Sequence, residues 1–242
     1  MNKYFQRFGK TPIILPVVGI QDIERAKANA DTAVEQGCPG IFVINNAGLP
    51  PAQFVRLVRW ITTGAPPGWF IGVNPLVSAA RSFDYVSPEI EGLWTDDANI
   101  DERRVDQPDA DAVADARAKR GWTGLYFGGV AFKYRREVTD VRTAARIAAK
   151  YVDVVTTSGP GTGHPPEVSK LRAMKSTIGA FPLAVASGVS SSNIKQFLPQ
   201  AQCYLIATGI RGGDGLIDSD RLSAIQRQIR DPHSRPVRRS AI

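Results

Sequence analysis

The sequence predicts a (β/α)8 barrel, and three observations carry the prediction. Short apolar runs alternate with amphipathic stretches eight times along the chain. The length, 242 residues, is close to the roughly 250 that such barrels use as one domain. Small polar residues followed by glycine end the late runs, where barrels of this class gather backbone donors.

The elements follow in order. The first strand is read over Ile13–Val18 and its helix over Ile23–Glu35, closed by Gly37. The second strand covers Gly40–Asn45; its helix, Ala52–Ile61, sets Phe54, Leu57, Val58 and Ile61 on one face at spacings of three and four. The third strand is Trp69–Asn74, with a short helix from Leu76 to Tyr85. The fourth is Ile90–Trp94, and a long helix is expected from Asp101 to Lys119, with Asp101 and Glu102 suited to its positive N-terminus. Glu24 is read in the same way for the first helix. The fifth strand is Gly124–Phe127 with helix Val141–Lys150, and the sixth is Val152–Thr157 with helix Glu167–Ile178. The seventh is Pro182–Ala186 with helix Asn193–Leu198, and the eighth is Cys203–Ala207 with a last helix, Asp220–Ile229. A doubly wound open sheet is the competing architecture, but it places its glycine-rich loop after the first strand. Here Gly19-Ile20-Gln21-Asp22 offers one glycine.

Composition narrows the function classes. Hydrophobic residues make up 43% of the chain, and no run of about 18 apolar residues suggests a membrane span. The first residues turn polar at once, without the apolar core of a signal peptide, so a cytoplasmic location is expected. The formal charge of +7 is partly local, since residues 230–242 hold Arg230, Arg235, Arg238 and Arg239 against Asp231 and read as a flexible basic tail. Lys133-Tyr134-Arg135-Arg136 is too short a basic run for nucleic acid, so an anionic small molecule is the expected partner. Such barrels also assemble as homo-oligomers, although the sequence marks no interface. Cys38 and Cys203 are expected as buried free thiols.

Site chemistry is expected at the C-terminal ends of the strands. Ser187-Gly188 and Thr208-Gly209 share one pattern, and glycine lets several N–H groups approach one phosphate. Gly161 and Gly163, after the sixth strand, supply a third wall, and Arg211 stands close by. Asp96 and Asp97 follow the fourth strand; one of them should enter the mouth as an acid, a base or a Mg²⁺ anchor, and Asp96 is nearer the strand. His164 is a candidate proton donor, and Asn45, Asn74, Thr157 and Lys133 are candidate substrate contacts. Lys133 lies beyond its strand among other basic residues, which suits anion binding better than a Schiff base. Two histidines and two embedded cysteines do not compose a zinc site, so no protein metal centre is expected. No nucleophile elbow is present.

Together, Thr157-Ser158-Gly159-Pro160-Gly161-Thr162-Gly163, Ala186-Ser187-Gly188-Val189, Asn193, Ala207-Thr208-Gly209 and Gly92–Asp97 resemble the BtpA-like barrel enzymes. They also resemble the broader ribulose-phosphate-binding barrels. The resemblance implies a (β/α)8 barrel and a phosphorylated ligand, but no particular reaction. The expected function is therefore an isomerase or lyase acting on a sugar phosphate or a nucleotide-derived phosphate. The alternative is a phosphometabolite-binding or assembly protein that keeps the pocket without the chemistry.

Overall fold

In the computed structural model, residues 2–231 are described; the expected basic tail falls outside them from residue 232, as does His233. Eight parallel strands close into one barrel in sequence order, β1 pairing with both β2 and β8. They are β1 Ile13–Gly19, β2 Gly40–Ile44, β3 Phe70–Asn74, β4 Gly92–Thr95, β5 Leu125–Gly129, β6 Val154–Thr157, β7 Leu183–Val185 and β8 Cys203–Ile206. Closure rules out the open doubly wound sheet.

Pleating divides each strand between two cores. Leu15, Val17, Phe42, Phe70, Trp94, Leu125, Phe127, Val154, Ala184, Cys203 and Leu205 fill the barrel interior. Val18, Ile41, Val43, Val73, Leu93, Tyr126, Val155, Val185 and Tyr204 face the helical layer. Large and small residues interdigitate inside, since a Cβ on Gly72 would enter the ring of Phe42. Both cysteines are buried free thiols, as expected.

The helices are α1 Lys3–Phe8, α2 Ile23–Glu35, α3 Pro51–Ile61, α4 Ala79–Ser82, α5 Pro108–Arg120, α6 Val141–Ala148, α7 Val168–Ile178 and α8 Ser219–Arg230. Asp22, Asp140 and Asp218 cap α2, α6 and α8 by accepting from first-turn amides. Glu24 lies in the first turn of α2, as expected.

Four expectations are corrected. Helix α1 was not expected; it plugs the bottom of the barrel with Tyr4, which is fully buried and donates its hydroxyl to the Gln202 carbonyl at 2.7 Å. The helix expected from Asp101 starts instead at Pro108, whose fixed φ and missing N–H suit a first helical turn. Asp101 and Glu102 thus lie in the preceding loop, where both pair with Arg136 of the β5–α6 loop. The helix expected over Leu76–Tyr85 shrinks to α4 and one 3₁₀ turn, Phe83–Tyr85, and that expected over Asn193–Leu198 shrinks to Ile194–Gln196. The loop after β8 opens with a 3₁₀ turn, Thr208–Ile210.

Candidate active site

The C-terminal rim is polar and conformationally strained. All four non-glycine residues with positive φ among the described residues lie there: Leu76 after β3, Asn99 after β4, and Ala131 and Tyr134 after β5. Such backbone is costly and tends to collect where function over-determines the structure.

Strand parity separates the two aspartates. Trp94 points inward, so Asp96 does too, while Asp97 turns back to accept from its own loop at the Asn99 amide, 2.7 Å. Asp96 accepts from the Asn74 side-chain amide at 3.0 Å, and the Arg135 guanidinium stands 4.0 Å from its other oxygen. Burial pushes the Asp96 carboxyl above the ordinary aspartate value, while Asn74, Arg135 and Lys133 pull it down and Asp97 adds to the rise. It opens on a narrow crevice of about 20 Å³ beneath Phe132 and Arg135. Phe132 is buried and packs on Trp94 with ring centroids 6.0 Å apart, so the β5–α6 loop covers this part of the mouth.

Asn74 and Asp96 are thus brought together, while other candidates are placed apart from them. The Asn45 side chain is engaged by the Leu49 amide and carbonyl at 2.9 and 2.8 Å, latching its own loop. Thr157 follows Val155 in facing outward, and its hydroxyl reaches the Ala131 carbonyl at 3.4 Å. The inward residue of β6 is Thr156, which is fully buried; the signal for it was its even spacing from Val154. Lys133 Nζ donates to the Thr162 hydroxyl at 3.2 Å, and His164 is exposed with its ring beside the Thr162 carbonyl. The Asp96 carboxylate faces the mouth. Among the described residues no group of three or more His, Cys, Asp or Glu could hold a metal ion, so Mg²⁺ would need ligand oxygens as well.

The glycine loops interlock. Ser187 Oγ accepts from the Gly159 amide and donates to the His164 carbonyl, both at 3.0 Å, so the β6–α7 and β7 loops are stitched together. Gly188 adopts φ +63°, and its missing side chain leaves room for the backbone of His164–Pro165. At Gly209 a Cβ would run into the Val189 carbonyl. Gly161 and Gly163 sit at the β6–α7 loop tip, where the Thr162 amide donates to the Tyr134 hydroxyl at 3.1 Å. Among the described residues, none accepts from the amides of Gly188, Thr208 and Gly209. Arg211 folds back onto the Val17 carbonyl at 3.1 Å, and burial and then Arg25 hold its guanidinium below the usual arginine range.

Lys170 was not foreseen. From α7 it donates to the Ala131 carbonyl at 2.6 Å and the Ser158 carbonyl at 2.8 Å, clamping the loops after β5 and β6. Burial lowers its ammonium to about 8, against a raising contribution from Glu167. It lines a cleft of about 410 Å³ together with Lys133, Arg135 and Arg136. Only tertiary structure brings a helix lysine to two loop carbonyls.

The fold defines the class: a (β/α)8 barrel whose polar and strained groups collect at the rim where such barrels place their sites. The tryptophan synthase alpha chain from Legionella pneumophila subsp. pneumophila shares the fold at 12% identity and a TM-score of 0.67, over 97% of this chain and 100% of that one. The 2-keto-3-deoxy-6-phosphogluconate aldolase from Zymomonas mobilis ATCC 29191 does so at 16% and 0.61, over 91% and 93%. The aldolase of Zymomonas mobilis ZM4 with 3-phosphoglycerate does so at 15% and 0.62, over 95% of each chain. At these identities the likeness is one of fold. More particularly, residues 129–231 match the model of the BtpA family. No curated protein matches the sequence.

Proposed function

We propose that this barrel is an enzyme acting on a phosphorylated small molecule, by acid–base chemistry of the lyase or isomerase type. The observation that carries the reading is the inward Asp96 carboxylate, held by Asn74, faced by Arg135 and pushed above the ordinary aspartate value by burial. A carboxyl so tuned can take a proton from carbon or nitrogen and return it. In the barrel order, β3 and β4 stand across the mouth from β7 and β8. A ligand anchored by phosphate on the Gly188, Thr208 and Gly209 amides would extend its reacting carbons toward Asp96. That a fold neighbour is described with 3-phosphoglycerate supports a phosphorylated ligand, and aldolases among the neighbours support lyase chemistry. None of the eight strands carries a lysine, which favours Asp96 over a Schiff base as the reactive group.

The test has two arms. A panel of sugar phosphates should raise the Tm of the wild type. Thr208→Glu sets a carboxylate on an exposed residue of the 3₁₀ turn and should remove that rise; an undiminished rise rejects the phosphate assignment. Asp96→Asn should keep the rise and lose turnover, and persisting turnover rejects Asp96. If every ligand that binds is returned unchanged by the wild type, the binding-protein reading replaces the enzyme.

A further inference from the structure

The opposite rim of the barrel holds a larger cavity that the chemistry above does not use. It lies beside α1, at the starts of β3, β4 and β5, with a volume of about 610 Å³. Small-molecule sites span roughly 300–1,000 Å³. Its walls are apolar, with Phe70 and Leu125 from the barrel interior and Ile90 and Trp122 from the connections around them. Trp122 is held firmly: its indole N–H donates to the Ile90 carbonyl at 2.8 Å, and the Arg117 guanidinium stacks 5.5 Å from the ring.

The charges around this cavity are unbalanced. Lys3, Arg7 and Arg120 line it against a single carboxylate, Glu91. Arg7 takes that carboxylate at 2.8 Å. Lys3 and Arg120 donate to the carbonyls of Thr123 and Val86, at 3.2 and 3.0 Å. A carbonyl satisfies a donor without cancelling its charge. Among the described residues, neither Lys3 nor Arg120 has a carboxylate partner. Apolar walls under an uncompensated cationic rim suit one kind of ligand.

We propose that this cavity binds a small organic anion, with a flat apolar body against Ile90 and Trp122 and a carboxylate or phosphate between Lys3 and Arg120. The site is separate from the mouth, because Phe70 and Leu125 begin their strands whereas Asp96 follows the end of β4.

The test uses the full chain, 1-naphthyl phosphate as probe, and the four tryptophan indole resonances in a ¹⁵N spectrum, Trp122 being assigned through Trp122→Phe. The probe should shift the Trp122 resonance saturably. The double variant Lys3→Gln/Arg120→Gln, changed only at exposed side chains, should bind it about tenfold more weakly, as should wild type with neutral 1-naphthol. Thr208→Glu, at the far rim, should leave the shift unchanged, which separates this site from the proposed phosphate site. A Trp122 resonance that does not move, equal binding by the double variant, equal binding of 1-naphthol, or loss of the shift in Thr208→Glu would each overturn the proposal.

Discussion

Replacing Gly188 with alanine tests what that glycine is for. If it only admits a phosphate, the alanine variant should be as stable as wild type without ligand. The packing says otherwise. A Cβ at 188 would overlap the Pro165 nitrogen and the His164 carbonyl carbon and lie 2.6 Å from Pro165 Cα. The β6–α7 loop would have to retreat by roughly 1 Å, an overpacking cost of about 1–3 kcal/mol. Holding alanine at φ +63° adds about 1–2 kcal/mol. A loss of about 2–5 kcal/mol is expected, or roughly 4–20 °C in Tm for a domain of this size. Urea unfolding of ligand-free protein measures it, with the slope checked so that a midpoint change reports stability. A variant within about 0.5 kcal/mol of wild type would refute the interlocking of the two loops.

Two further outcomes follow from buried ionisable groups. Burial raises the Asp96 carboxyl above its usual 3.8, so the native state holds that proton more tightly than the unfolded chain and the ionised group costs stability at neutral pH. Asp96→Asn should therefore be more stable than wild type at pH 7, and the gain should vanish as pH falls through the native value toward 3.8; a gain that does not change with pH would contradict this origin. Burial pushes the Cys38 thiol up to about 12 and Cys203 higher still, so neither should react with a disulfide reagent at pH 8 in the native protein, and both should react once it is unfolded. A thiol that titrates rapidly in native conditions would show that its surroundings open to solvent.

The barrel was legible because nearly every strand is a compact apolar run ended by a small polar residue or glycine, a pattern that survives without tertiary information. Asp96 could be separated from Asp97 by parity alone. The same parity, counted from Val154, would have replaced Thr157 with Thr156 as the inward residue of β6. The elements misjudged are those whose conformation is settled by packing at a distance. Six residues from Lys3 to Phe8 are too few for a self-sustaining helix; they form one because Tyr4 is seated under the barrel. Asp101 and Glu102 look like a helix start, but Arg136 from another loop claims both. Lys170 reads as an ordinary helix lysine until the fold brings it to Ala131 and Ser158.

The plug at the foot of the barrel also sets a timetable for synthesis. Tyr4 bonds the carbonyl of Gln202, 198 positions later, and β1 has β8 as one of its two neighbours. At roughly 5–20 residues per second, the first strand waits about 10–40 s on the ribosome before its last partner exists. Through that interval the edge of β1 and the hydroxyl of Tyr4 lack these partners, and the barrel cannot close until β8 has been made. A nascent chain stalled before Cys203 would carry an unpaired strand edge, making it the species most dependent on chaperones.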